Sequence, residues 1–260
     1  MNEYLAAVLL GVIEGLTEFL PISSTGHLLI AQHWLGARSE LFTIAIQAGA
    51  IVAVSLVYRQ RILQLLRGWG DPQSRDYAIK LGSAFVVTAV FGLLARALGA
   101  ELPETVAPVA IALIGGGIAI LLIERRIAHT PSAGQLGWAV VIAVGLAQVA
   151  AGVFPGLSRS AAAIFAAMLF GLSNRPRAAE FAFLVGIPTM FAATGYALVE
   201  TWLSGKAASE AWDLLAIAFI VSAITGFAAV KWLLHFIAGH SFAPFAWYRI
   251  ALGSGLLLFL

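Results

Sequence analysis

The sequence predicts an all-α polytopic membrane protein built from two inverted repeats, each a re-entrant helix-loop-helix plus three transmembrane helices. Three observations predict it. The 260 residues are 61% hydrophobic and only 11% charged, where a soluble domain carries roughly 25% charged residues. Two apolar stretches, 4–36 and 135–171, are each broken in the middle, at Pro21 and Pro155, which leaves halves too short for about 30 Å of hydrocarbon. Longer apolar runs follow each break at 41–58, 78–98 and 106–124, and again at 179–202, 212–234 and 245–260. An odd number of crossings per half turns the second half upside down relative to the first.

The first broken stretch holds Glu14, Glu18, Ser23, Ser24, Thr25 and His27 among apolar neighbours. Glu14 and Glu18 are four apart and share one helical face. Pro21 ends that helix, and Ser23-Ser24-Thr25-Gly26 can cap the next, with free backbone N–H groups where it begins. The first span carries Gln47 and Gly49, and a polar segment, 59–77, follows it. Shifting the chain by 134 residues lays Glu14 on Gln148, Pro21 on Pro155 and Ser24 on Ser158. Repeat one is thus expected over about 1–127 and repeat two over about 135–260, within a single membrane domain over 1–260.

Charge sets the expected orientation. Arg59, Arg61, Arg67, Arg75, Arg125, Arg126, Arg175 and Arg177 fall on one face of this topology. Arg38 and Lys206 lie opposite, beside Glu40, Glu101, Glu104 and Glu210. The Arg-rich face belongs in the cytoplasm, so the first hairpin and both termini face outward. No basic region precedes the first apolar run, so no removable signal peptide is expected. The absence of cysteine excludes disulfides, thiolate catalysis and Cys-ligated metals.

The second break reads Pro155-Gly156-Leu157-Ser158-Arg159-Ser160. Gly156 permits a tight turn, Ser158 can cap a helix and Arg159 begins it. A helix N-terminus beside a guanidinium suits a phosphate. The competing reading is an arginine snorkelling to the interface, which a mid-hairpin position disfavours.

Glu14-Gly-Leu-Thr-Glu-Phe-Leu-Pro-Ile-Ser-Ser-Thr-Gly-His27 resembles the first signature of the undecaprenyl-diphosphate phosphatases, the bacitracin-resistance proteins of bacteria. Residues 155–160 resemble the second, and the Gln47 segment, Glu180-Phe-Ala-Phe-Leu and Pro244-Phe-Ala-Trp-Tyr-Arg249 extend the likeness over nearly the whole chain. The resemblance implies hydrolysis of undecaprenyl diphosphate to the monophosphate and inorganic phosphate, recycling the cell-wall lipid carrier in the bacterial inner membrane. It implies catalytic roles for Glu14, Glu18, Ser24, His27 and Arg159. Ser23, Thr25, Gly26, Gln47, Gly156, Ser158 and Ser160 are the expected substrate-binding set. Ala161 and Ala163 stand where that family usually has Gly and Thr, so the hydroxyl at 163 is missing.

Two chemistries are open at the carboxylates. Glu14 and Glu18 hold a divalent cation, Mg²⁺ or Ca²⁺, or one of them stays protonated as a general acid. Ser24 is the expected nucleophile with His27 as its base or as a phosphate ligand; direct attack by His27 and a purely structural histidine are the alternatives. Expected partners are the lipid substrate and the bilayer, with a homodimer as an open option and no nucleic acid. A transporter or flippase of polyprenyl phosphate on the same architecture is the rival function.

Overall fold

The computed structural model describes residues 2–100, 105–128, 135–205 and 210–259, in which every regular element is helical. Glu101, Glu104 and Lys206, used above for orientation, lie outside those residues. The first broken stretch forms α1 (Glu3–Thr17) and α2 (Ser24–Leu35). It is followed by α3 (Glu40–Val57), α4 (Arg59–Arg67), α5 (Pro72–Ala97) and α6 (Val106–Ile127). The second forms α7 (Trp138–Val153) and α8 (Arg159–Leu169), followed by α9 (Arg175–Leu203), α10 (Trp212–Gly239) and α11 (Ala243–Phe259).

Length separates the two kinds of helix. Helix α7, the longest of the four half-helices at 16 residues, reaches only about 24 Å at the helical rise of about 1.5 Å per residue. Helices α3, α5, α6, α9 and α10 are long and apolar enough to cross a membrane, and the chain is a multi-pass membrane protein. The expected span at 245–260 is α11, whose 17 residues reach about 26 Å.

Local sequence explains where boundaries differ from expectation. The polar segment 59–77 contains a helix, α4, which exposes Leu63 and Leu66 between flanking arginines, the pattern of a helix lying in a membrane surface. Helix α5 starts at Pro72 rather than 78. Asp71 caps it by accepting from the Ser74 N–H at 2.8 Å, and proline suits the first helical position.

Helix α1 lies along α10, which also packs on α3; α7 lies along α5, which also packs on α9. Glycine permits both approaches: a Cβ on Gly11 would sit 2.5 Å from the Ala218 carbonyl, and one on Gly145 would sit 2.9 Å from that of Ala84. At each crossing a threonine hydroxyl donates to that glycine's carbonyl, Thr225 to Gly11 at 3.4 Å and Thr88 to Gly145 at 3.2 Å. The largest apolar cluster gathers around α8 and α9, with Phe165, Phe181, Phe183 and Phe242 inside it. Polar contacts mark the two ends. Arg61 meets Glu180 at 3.1 Å and Arg175 pairs with Glu124 at one end. Ser39 meets Glu210 at 2.9 Å and Arg96 meets Glu200 at 3.4 Å at the other.

Candidate active site

The two breaks share a backbone device. Ser23 caps α2 with φ 73° and accepts from the Gly26 N–H at 3.4 Å. Ser158 caps α8 with φ 70° and accepts from the Ala161 N–H at 3.3 Å. Among the described residues these are the two non-glycine positions with positive φ, a strained region that persists only where surroundings enforce it. The match corrects the register read from the sequence. The first break runs from Glu18 to Ser23 and the second from Phe154 to Ser158, so the first is one residue longer. A shift that lays proline on proline therefore misses the caps by one, and Ser23, not Ser24, corresponds to Ser158. Gly156 has φ 90° and lies so close to α6 that a Cβ would meet the Val109 carbonyl at 2.6 Å.

Ser24 is thereby free to turn its hydroxyl to a carboxylate. Its Oγ donates to Glu18 Oε2 at 2.6 Å, and both side chains are buried. Glu14, one turn earlier on α1, is fully buried, and neither of its oxygens has a donor among the described residues. Its charged neighbours are Glu18 and Arg159. Burying a carboxylate in this way is costly unless a proton or a cation completes it. Across the break, Gln148 on α7 is 4% exposed and both amide atoms are likewise unpartnered. Arg159, the first residue of α8, is half-buried and makes no hydrogen bond or ion pair among the described residues.

His27 points elsewhere. Its Nδ1 lies 2.7 Å from the Ser23 carbonyl, which can only accept, so Nδ1 carries the proton. In the neutral ring Nε2 then accepts from the Tyr248 hydroxyl at 2.7 Å, with the two rings stacked. The structure bonds Ser24 to Glu18 and His27 to Ser23 and Tyr248, so the hydrogen-bond partner of Ser24 is Glu18 and not His27. Ser160 donates to the Leu20 carbonyl at 3.2 Å and ties one break to the other. A Cβ on Gly26 would lie 3.1 Å from the Leu113 side chain, and Thr25 and Gln47 are half-buried without side-chain hydrogen bonds among the described residues.

Two cavities meet at Gln148 and Arg159. The larger, about 480 Å³, has mostly apolar walls from α5, α7 and α9 and extends to Glu40, Arg96 and Glu200 at one end of the molecule. The smaller, about 20 Å³, is lined by Glu18, Gln148, Arg159, Ser160 and Ala163. It has room for roughly one water. Glu18, Gln148, Arg159 and Ser160 line the smaller cavity; Ser24 joins this polar cluster through its bond to Glu18, Ser158 through Ser160 at 3.1 Å, and Glu14 through its charged neighbours Glu18 and Arg159, whereas His27 and Gln47 line neither cavity. Gln148 was legible only as the counterpart of Glu14; a lone amide in an apolar run carries no motif of its own. Among the described residues no three His, Asp or Glu side chains gather to hold a metal by themselves.

Known proteins match the chain from end to end. The model of the family described as "Bacitracin resistance protein BacA" matches residues 7–255. A protein of Xylella fastidiosa named undecaprenyl-diphosphatase is 57% identical over 260 residues, covering 100% of both chains. Others of that name from Xanthomonas campestris and Rhizobium etli are 57% and 58% identical, covering 100% and 98% of this chain and 99% and 96% of their own. This chain belongs to the bacitracin-resistance protein BacA family.

Proposed function

We propose that this chain is a membrane phosphatase that hydrolyses undecaprenyl diphosphate to undecaprenyl phosphate and inorganic phosphate. The observation that carries the reading is the buried 2.6 Å bond from Ser24 to Glu18, set beside Arg159 on the wall of a largely apolar cavity. A nucleophile already bonded to its base exceeds what binding alone needs, which favours hydrolysis over transport.

The chemistry follows from these groups. Arg159 and the free N–H groups opening α8 hold the terminal phosphate. Glu18 takes the Ser24 proton as the hydroxyl attacks the terminal phosphorus. The new Oγ–P bond forms while the bridging P–O bond breaks, and the electron pair leaves on the prenyl monophosphate. Water then attacks the phosphorus of the phosphoserine, the Oγ–P bond breaks, Glu18 returns its proton to Ser24 Oγ, and inorganic phosphate leaves. Gln148, with its two unpartnered amide atoms, completes the polar wall around the phosphate.

The two donor-less oxygens of Glu14 fit a hard divalent cation, Mg²⁺ or Ca²⁺, held with Glu18. Such a cation would neutralise charge on the diphosphate.

Two features support an inverted repeat behind this site. Each half lays its broken hairpin on the second long span of the other half, α1 on α10 and α7 on α5. The threonine–glycine bonds at those crossings have the same form. With the Arg-rich end in the cytoplasm of the inner membrane, the larger cavity opens on the outer side. Release of inorganic phosphate from undecaprenyl or farnesyl diphosphate by the purified protein, with and without chelator, tests the reading. No release under either condition would sink it.

A further inference from the structure

Arg249 is the largest fully buried side chain, yet no carboxylate pairs with it among the described residues. A cation in an apolar bundle is expensive unless every donor is used. Here every donor is used. Nε donates to the Leu113 carbonyl at 3.3 Å, Nη1 to Pro21 at 3.3 Å and Leu157 at 3.1 Å, and Nη2 to Ala112 at 3.1 Å and Gly156 at 3.1 Å. Two of these carbonyls belong to α6. The others are Pro21, in the first break two residues before the cap Ser23, and Gly156 and Leu157, in the second break just before the cap Ser158. The guanidinium therefore bridges both breaks, which adjoin Glu18, Ser24 and Arg159, the last two being the first residues of α2 and α8. Gly116 on α6 makes the slot, since a Cβ there would overlap Nη2 and lie 2.8 Å from Cζ.

We propose that Arg249 is a positioning residue that locks the two half-helix N-termini in register, so that Ser24 and Glu18 from one hairpin and Arg159 from the other meet the same phosphate. The proposal rests on the phosphatase reading above. An oxygen-only clamp of five carbonyls needs a planar five-donor cation, which lysine cannot imitate. A misplacement of about 1 Å in a reacting group costs roughly a hundredfold in rate, so small loss of register has a large readout.

The test uses four variants, Arg249→Lys, Gly116→Ala, Arg159→Lys and the Arg159→Lys/Arg249→Lys double, and the parent, all purified in detergent and normalised to folded protein by gel filtration and thermal unfolding. Arg249→Lys keeps the charge but loses the span; Gly116→Ala keeps every charge but pushes the guanidinium out of its slot. Both are expected to lower kcat by roughly 10–100-fold with KM changed far less. Arg159→Lys combined with Arg249→Lys is expected to be no slower than the slower single variant, because both act on one contact. Full turnover per folded molecule in both single variants, or losses that simply multiply in the double variant, would overturn the proposal. An independent readout keeps the two readings apart. Spin labels on cysteines replacing the exposed His33 of α2 and Leu169 of α8 should give a narrow distance distribution that broadens in Arg249→Lys. An unchanged distribution counts against the clamp even if the parent hydrolyses nothing; an idle parent with a broadened distribution overturns the phosphatase reading alone.

Discussion

Ser23 and Ser158 stand 135 positions apart and hold the same left-handed conformation, with φ 73° and 70°, each capping the half-helix that follows it. Their hydroxyls accept the cap bonds while their backbones carry strain. Alanine at either site loses the acceptor and keeps the strain; glycine loses the acceptor but relieves the strain. Ser158→Ala should therefore destabilise the protein by about 1–2 kcal/mol and Ser158→Gly by less. Thermal unfolding in detergent measures the order, and equal losses would mean that strain has no part in it.

Ser24→Ala and Glu18→Gln should each abolish phosphate release from the purified protein while leaving it folded. They sit at the two ends of one 2.6 Å bond, so the double variant should be no worse than either single one. Residual turnover in Ser24→Ala close to that of the parent would transfer the nucleophile to another group.

Arg159→Lys should lose most activity although the charge is kept. A lysine is a point charge and cannot make the bidentate contact, which puts about 1.5–3 kcal/mol at stake, or about ten- to a hundredfold in rate. Steady-state hydrolysis decides, and near-parental turnover would remove Arg159 from the site.

Ala163 faces the same small cavity as Glu18 and Arg159. A threonine hydroxyl there can donate to Glu18 or to a phosphate oxygen, so Ala163→Thr should raise kcat by about tenfold. The cavity is about 20 Å³, so the added methyl is the steric risk, and Ala161→Gly/Ala163→Thr, which restores both residues usual in the family, is the second variant. If both the single and the double variant are slower than the parent, the missing hydroxyl is not a missing catalytic part.

Single cysteines at the exposed Ala37 and Ser204 should be labelled from outside the cell and one at the exposed Gln73 should not. Ser74, next to it, is 6% exposed and would resist label from either side. Labelling of Ala37 and Ser204 from opposite faces would overturn the inverted topology.

The breaks were legible because proline, glycine and hydroxyl side chains inside an apolar run have few other uses. Glu14, Glu18, Ser24 and Arg159 were legible for the same reason, and all belong to the polar cluster. The partner of Ser24 was not. Spacing puts Ser24 and His27 on one face of α2, but the extra residue in the first break moves the cap to Ser23 and turns Ser24 back toward Glu18. Helix α4 hid in a polar segment because an amphipathic pattern of nine residues is short. Arg249 was beyond reach, since its partners are main-chain carbonyls 92 to 228 positions away, at Leu157 and Pro21, and a carbonyl leaves no mark on a sequence.

The apolar-walled cavity beside Arg159 encloses about 480 Å³. That is the size of an ordinary small-molecule pocket, roughly 300–1,000 Å³, so the space takes the diphosphate and only the first isoprene units. The rest of an undecaprenyl tail stays among the lipids, where it gains nothing further from the protein. Selection by tail length then falls to the bilayer: KM should drop steeply over the first few isoprene units and flatten beyond them, so that short synthetic prenyl diphosphates report faithfully on the chemistry of the long one.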